Sequence, residues 1–204
     1  MKMNRFEYMM MTFDQGRNIY LRGIVKRLHE ISGLAPGRKM LEIGCGNGIG
    51  THLIHETFNP AEFIATEYDE RLVGIARKKN RDRNLSVEEG DAAALRFNND
   101  EFDAVIGLSV IHHIPNWRDC VNELHRVIKP GGLLIIKELS IDTFETPFGM
   151  VSRWFVEHPY ETMFRKDEFL DFTQQVGFDV LACEPHSMLF ALTDFLLVAR
   201  KRCI

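Results

Sequence analysis

The sequence predicts an α/β protein folded as a three-layer sandwich, whose mostly parallel, seven-stranded sheet ends in an antiparallel hairpin. Two observations favour this class. Between about residues 18 and 136, short apolar runs alternate with segments of helical periodicity, which indicates a parallel sheet with helices on both faces. In the last third, two strands follow one another with only a short loop between them, and such strands pair antiparallel.

The first half of the chain is predicted to supply a helix and then four strands. Apolar residues at helical spacing predict a helix over about 18–34, which Pro36 and Gly37 break. The run at 102–108 is almost continuously apolar and therefore predicts a strand buried on both faces. Three earlier strands are predicted at 39–43, 63–66 and 85–87, with helices that end near residue 58 and cover 72–76.

The second half is predicted to complete the sheet. A helix over 117–128 should stop at Lys129-Pro130-Gly131-Gly132, and a fifth strand should follow over 133–136. A helix over 166–176 ends at Gly177 and leads into the two hairpin strands, 178–183 and 190–199. We therefore divide the chain into an N-terminal lead and helix, 1–34, that caps the site, and a single domain over 35–204.

Composition limits the function classes. A chain of 204 residues with a net charge of −4 suits one domain and argues against binding to nucleic acid. The four cysteines show no C-x-x-C pair and no Cys/His spacing fit for zinc, so we predict reduced thiols and no metal site. No apolar run reaches the roughly 18 residues of a membrane span. We expect a cytoplasmic protein, monomeric or homodimeric.

The most informative segment is the strand at 39–43, which leads directly into Gly44, Gly46 and Gly48. Glycines lack a β-carbon where backbone and ligand nearly touch, and the following helix presents its N-terminus, so the segment predicts a nucleotide-like ligand. A dinucleotide fingerprint requires a third glycine where Ile49 stands, and no Gly-Lys-Ser/Thr of a phosphate-binding loop follows. An NAD-dependent reductase, which would also need a Tyr-x-x-x-Lys pair, is the less favoured alternative.

Taken with the elements downstream, this E-x-G-x-G-x-G segment resembles the first motif of class I S-adenosylmethionine (SAM) dependent methyltransferases. The resemblance extends over about residues 34–200. Glu67 ends the second strand, and Gly90-Asp91-Ala92 is similar to the G-D-A segment after the third strand in that family. The family implies a Rossmann-like fold, SAM as cofactor and S-adenosylhomocysteine as product.

The resemblance also implies roles for single residues. Glu67 would take the ribose hydroxyls, Tyr68 would lie along the adenine, and Asp91 would accept from the adenine amine. Ala92 would donate its backbone N–H to the adenine ring, and Glu42 would order the glycine loop. The methionine part would lie against Cys45, Asn47 and Gly48, and the sulfonium would be bordered by Leu108 and Ser109. Glu67 alone also suits NAD, and a solvated residue at a helix start is its structural alternative.

Candidates for catalysis follow the fourth and fifth strands. His112 and His113 come directly after the fourth strand, and Glu138 ends the fifth. A histidine there could act as a general base, but methyl transfer mostly requires alignment, and a ring can equally fix the loop by hydrogen bonding. We favour a structural role for His113 and leave His112 open between substrate contact and plain surface. For Glu138 the alternative is a helix cap or loop salt bridge.

The methyl acceptor is predicted to be a small molecule, apolar or aromatic. No N/D-P-P-Y/F sequence follows the fourth strand, which disfavours amino-group methylation of DNA bases and glutamine amides. The segment after the fifth strand could line an apolar pocket or merely cover the sheet, since it contains Phe144, Phe148, Met150, Trp154, Phe155, Tyr160, Met163 and Phe164. A SAM-binding regulatory or assembly protein without turnover is the alternative from another class.

Overall fold

The computed structural model describes residues 14–82, 84–146, 149–150, 158–188 and 192–203. These residues form one seven-stranded sheet in the order β3-β2-β1-β4-β5-β7-β6. The strands are β1 Lys39–Ile43, β2 Glu62–Glu67, β3 Leu85–Glu89, β4 Phe102–Leu108, β5 Ile128–Leu139, β6 Phe178–Met188 and β7 Leu192–Lys201. The helices are α1 Asp14–Ser32, α2 Ile49–Phe58, α3 Glu70–Lys79, α4 Trp117–Val127, α5 Ile141–Phe144 and α6 Lys166–Val176, with a short 3₁₀ helix at Ile111–His113.

The pairing confirms the predicted class. β1 to β5 run parallel, whereas β7 pairs antiparallel with both β5 and β6. β7 therefore lies inside the sheet and β6 forms the edge. The chain winds outward from β1 in one direction and from β4 in the other, so the order reverses between these two strands. A ligand crevice is expected there, at the carboxyl ends of β1 and β4.

β5 and β6 extend furthest beyond their predicted bounds, and both contain bulges. We predicted that the Lys129–Gly132 segment separates α4 from the fifth strand, but β5 already begins at Ile128. Phe102 faces Ile128 while Ala104 faces Leu133, so the intervening residues bulge out of register, which lets the sheet tolerate Pro130. β6 extends to Met188 with a similar shift at Leu181.

Each face of the sheet carries its own layer of apolar side chains. On one face, α1, α2 and α3 contribute Val25, Leu53 and Val73 to the core. On the other, α4 and α6 contribute Trp117 and Phe169. These two layers make the predicted three-layer sandwich. Among the described helices, none is long and apolar enough to cross a membrane.

Candidate active site

The glycine loop after β1 has a backbone conformation that other residues rarely adopt. Gly44, Gly46 and Gly48 have φ angles of 64°, 57° and 83°. A β-carbon on Gly44 would lie 2.1 Å from Cγ2 of Val110, and one on Gly48 would lie 2.9 Å from the Cα of Ala76. These two glycines are therefore required by close packing of the loop against the β4 loop and α3.

Glu67 connects the glycine loop to the start of α3. Its Oε2 accepts a hydrogen bond from the Gly46 N–H at 2.9 Å, and its Oε1 accepts from the Asp69 N–H at 2.9 Å. The carboxylate is only partly buried and each oxygen keeps a further lone pair. Glu67 can thus order the loop and still accept from two hydroxyl groups. It is not the freely solvated side chain of the structural alternative.

Two further predicted cofactor residues lie at the open end of the crevice. Tyr68 is 55% exposed and follows Glu67 directly, so its ring has a free face. Asp91 follows β3, is exposed, and accepts from the Ala93 N–H at 2.9 Å through Oδ1. Ala92 is buried beneath that turn. The parallel pairing of β2 with β3 brings these residues to the same edge of the sheet.

The inner end of the crevice is formed by predicted residues that are buried. Glu42, Cys45 and Asn47 are at most 5% exposed. Asn47 accepts from the Ile49 N–H and so helps begin α2, and burial raises the pKa of the Cys45 thiol well above its usual value. Gly50 packs closely between Leu108 and Glu42. The structure therefore brings the twelve cofactor residues predicted from the sequence to one edge, while their roles remain predictions.

β4 ends in a strained residue next to the glycine loop. Ser109 has a φ angle of 60°, which is uncommon for a residue with a side chain. Its N–H donates to the Lys137 carbonyl at 2.7 Å, and its Oγ accepts from Lys137 Nζ at 2.8 Å. Hydrogen bonds to β5 thus hold the backbone of Ser109 where the predicted sulfonium site would be.

Glu138 is fully buried at the end of β5 and holds the loop after β4. Its Oε1 accepts from the N–H groups of Val110 at 2.6 Å and Ile111 at 2.7 Å, and its Oε2 lies 2.6 Å from His112 Nδ1. Burial raises the pKa of the Glu138 carboxyl, and the two N–H groups on Oε1 oppose that shift. We assign the Nδ1–H tautomer of His112, which donates to Oε2. Glu138 is therefore an organiser of the loop, close to the helix-cap alternative.

His112 and His113 follow β4 in the loop that Glu138 holds. His112 is only 2% exposed, so the interpretation of it as plain surface is wrong. Burial lowers the pKa of His112 well below its usual value and that of His113 to about 2, so both rings are neutral at pH 7. His158, which sequence reasoning did not single out, packs edge-on against both rings, with its centroid 4.6 Å from that of His113 and 5.1 Å from that of His112. No spacing rule connects it to the other two.

A buried charged pair was also missed. Lys137 Nζ lies 2.6 Å from Asp194 Oδ2, with both side chains at most 7% exposed. Asp194 also accepts from the Tyr20 hydroxyl at 3.2 Å, and its Oδ1 lies 2.6 Å from His186 Nδ1. Burial, and next the Asp194 charge, raises the pKa of Tyr20. A lysine and an aspartate inside apolar strands were the only sequence signal.

The described part of the predicted acceptor segment is divided between core and site. Phe164 is buried and packs on Trp117 and Phe169, so it covers the sheet. Phe144 and Tyr160 instead lie against His158, with ring centroids 5.2 Å and 5.7 Å from it. Trp154, Phe155 and Phe148 lie outside the described residues, as do residues 1–13 of the N-terminal lead.

The comparisons with known proteins agree with the fold and with the glycine loop. Residues 41–136 match the family model described as a methyltransferase domain. The fold is similar to a SAM-dependent methyltransferase structure from Mesorhizobium loti, with a TM-score of 0.73 at 17% identity over 89% of this chain and 100% of that one. Residues 41–136 of the chain thus match a methyltransferase domain, and the fold around them is that of a class I, Rossmann-like methyltransferase, as the resemblance of the motifs indicated.

Two curated relatives extend the comparison. The phthiotriol/phenolphthiotriol dimycocerosates methyltransferase of Mycobacterium tuberculosis is 31% identical over 96 residues, which are 47% of this chain and 36% of that protein. The demethylmenaquinone methyltransferase of Staphylococcus carnosus is 28% identical over 177 residues, which are 83% of this chain and 73% of that protein. The chain thus spans little more than a third of the mycobacterial relative.

Proposed function

We propose that this chain transfers a methyl group from SAM to a small acceptor with a large apolar part. The observation that carries the proposal is the crevice at the reversal of strand order. There, Glu67 at the end of β2 accepts a hydrogen bond from the glycine loop after β1, and Ser109 and His113 follow β4, the other neighbour of β1. Relatives named for lipid and quinone acceptors support the class of acceptor.

The residues present fit SAM. The Glu67 carboxylate and the exposed carboxylate of Asp91 offer acceptors for hydroxyl and amine donors, and the exposed ring of Tyr68 offers a stacking face. SAM, when bound, supplies a methyl group on a good leaving group. What remains for the protein is to position the acceptor and exclude water.

We assign positioning roles to the residues on the acceptor side of the crevice. Glu138 fixes the backbone of Val110 and Ile111, and Lys137 fixes Ser109, so the loop after β4 is held by two β5 side chains that point to opposite faces. His113 follows on the same loop and is kept neutral by burial. A neutral imidazole can form a hydrogen bond with an acceptor hydroxyl, and His113 is our candidate for that contact.

The test is calorimetry of the purified protein with SAM. We expect binding that Glu67→Ala weakens by about 10-fold or more, since two hydrogen bonds to a charged group are lost. Glu62→Ala, at the exposed start of the same strand, is the matched control and should leave SAM affinity unchanged. A preference for NADH over SAM would refute the proposal.

A second candidate function is SAM binding without turnover. It is favoured by one observation, that Glu138 and the Nδ1 atom of His112 are both engaged in holding the loop. Supplying SAM with a labelled methyl group and long-chain acids, phenols and demethylated quinones separates the two candidates. Label in an extracted product establishes transfer, whereas SAM binding with no labelled product across the panel favours the regulatory or assembly role.

A further inference from the structure

We propose that His112, His113 and His158 form a binding site for one divalent transition-metal ion. Each ring offers a nitrogen, and these three nitrogens all lie within 4.8 Å of one another. Nothing in the order of the sequence suggests the site, because the third ligand lies 45 positions beyond the second. The site becomes visible only where the 3₁₀ helix after β4 meets the segment that precedes α6.

The rings are close enough to converge on one ion. The ring centroids of His112 and His113 are 4.1 Å apart, and His158 stands edge-on to His113 with a centroid separation of 4.6 Å. Zinc–nitrogen bonds of about 2.1 Å place tetrahedral ligand nitrogens about 3.4 Å apart. Ring rotations that move each nitrogen by about 1 Å would therefore bring all three within bonding distance of a single ion.

Glu138 gives His112 the support that metal-binding histidines usually have. Its Oε2 lies 2.6 Å from His112 Nδ1, which fixes the ring and leaves Nε2 as the nitrogen with a free lone pair. A carboxylate on the far nitrogen of a ligating histidine orients the ring and raises its basicity. The carboxylate itself is held by two backbone N–H groups, so this support is rigid.

The surroundings also suit a metal ligand set. Phe144 packs edge-on against His158 and Tyr160 lies beside it, which gives the cluster an apolar and aromatic wall. Imidazole is a ligand that zinc, cobalt, nickel, copper and iron share, and it binds only in its neutral form.

Three protein ligands leave one position of a tetrahedral ion open. That position would take water or an oxygen atom of the acceptor, beside the end of β4. This orientation of the acceptor rests on the proposed function, whereas the site itself stands on the three rings and Glu138.

The experiment uses the whole chain without a histidine tag, stripped of metal by a chelator and dialysed. Zn²⁺ is titrated by calorimetry, and Co²⁺ by the visible absorption of a tetrahedral complex. We expect one ion per chain and a roughly 100-fold or greater loss of affinity in both His113→Ala and His158→Ala. Glu138→Gln should weaken binding by about 10–100-fold. His52→Ala, an exposed histidine on α2, is the matched control and should bind as the wild type does.

Two results would overturn the site: less than one ion per chain in the wild type, or equal affinity in the wild type and both histidine variants. Circular dichroism and SAM calorimetry are run on every variant, so a misfolded protein is recognised and the remaining variant decides. SAM binding without metal binding refutes the site alone. Metal binding without SAM binding refutes the proposed function and leaves the site intact.

Discussion

The two halves of the crevice are built by different means. The cofactor half, at the ends of β1, β2 and β3, is made of a glycine loop, short turns and one carboxylate that accepts from backbone N–H groups 21 and two positions away. The acceptor half, at the ends of β4, β5 and β7, is made of buried charged side chains such as Lys137, Glu138 and Asp194. The first half depends on short turns and is open at its outer end, with Glu42 buried at its inner end, whereas the second is assembled over long separations and is closed.

This difference predicts where a substitution is costly. A turn can adjust when a side chain at an open edge is lost, because water takes over its hydrogen bonds. A buried charge cannot, because its partner is left in a medium of low dielectric constant. We therefore expect the acceptor half to govern the stability of the fold, and the cofactor half to govern ligand affinity.

The largest expected effect is on the buried pair. Lys137→Met leaves the Asp194 carboxylate without its cation, and we expect a loss of about 3–5 kcal/mol in the free energy of unfolding by urea denaturation. The matched control is Lys129→Met, which removes an ion pair with Asp103 at a half-exposed position. That change should cost at most about 1 kcal/mol.

A double variant sharpens this prediction. Lys137→Met with Asp194→Leu removes both charges, so it should recover much of the stability lost by Lys137→Met alone. If the double variant is as unstable as the sum of the single ones, the pair is not coupled, and the contrast between the two halves loses its physical basis.

The next effect concerns the cofactor half. Gly44→Ala places a β-carbon against Val110 and requires a φ of 64° in a non-glycine residue, so we expect a loss of about 1–3 kcal/mol and about 100-fold weaker SAM binding. Gly74→Ala on α3, where nothing lies within 4 Å of the added carbon, is the control. It should raise stability by about 0.5–1 kcal/mol and leave SAM affinity unchanged. Equal SAM affinity in both variants would contradict the assigned loop.

The smallest expected effect concerns the Tyr20 hydroxyl, which lies beside the buried Lys137–Asp194 pair. Tyr20→Phe removes the hydroxyl that donates to Asp194, and should cost about 1 kcal/mol at pH 7. Tyr68→Phe, at the exposed ring of the cofactor half, should cost nothing measurable in stability. The two substitutions thus compare the same chemical change in the two halves of the crevice.

The pH dependence of Tyr20 follows from its surroundings. Burial raises its pKa, and the adjacent Asp194 charge adds to this, so the folded state keeps the phenol protonated where the unfolded state has lost its proton. This contribution to stability is present below about pH 10 and is lost as pH rises toward the folded pKa. Stability of Tyr20→Phe should therefore decline less steeply above pH 10 than that of the wild type. Parallel curves would contradict this environment for Tyr20.

The same contrast explains what the sequence could predict. Local sequence was enough to predict the succession of strands and helices, the glycine loop, and the positions of Glu67 and Asp91. Each of these depends on local backbone geometry. The bounds of β5 were wrong because Pro130 normally ends an element, and only pairing with β4 shows that a bulge accommodates it. Secondary-structure propensity cannot predict that pairing with another strand will accommodate a proline.

The acceptor half was predicted less completely. His112, His113 and Glu138 were singled out by their position at strand ends, but their mutual hydrogen bonds depend on the pairing of β4 with β5. His158 and Asp194 contact residues that are distant in sequence, and only the tertiary fold brings them together. A single sequence carries no signal for such contacts beyond a charged residue within an apolar strand.

The place of β7 between β5 and β6 has a consequence for the way the molecule is made. A ribosome completes β1 to β6 before it delivers β7, so β5 is first an unprotected edge and the ammonium group of Lys137 faces solvent there. Because β6 pairs only with β7 among the described strands, both strands join the sheet when β7 pairs with β5, and Asp194 then arrives to dehydrate the pair. The newly made chain can therefore order its cofactor loop early, while competence toward the acceptor waits for the last strand of the sheet to enter.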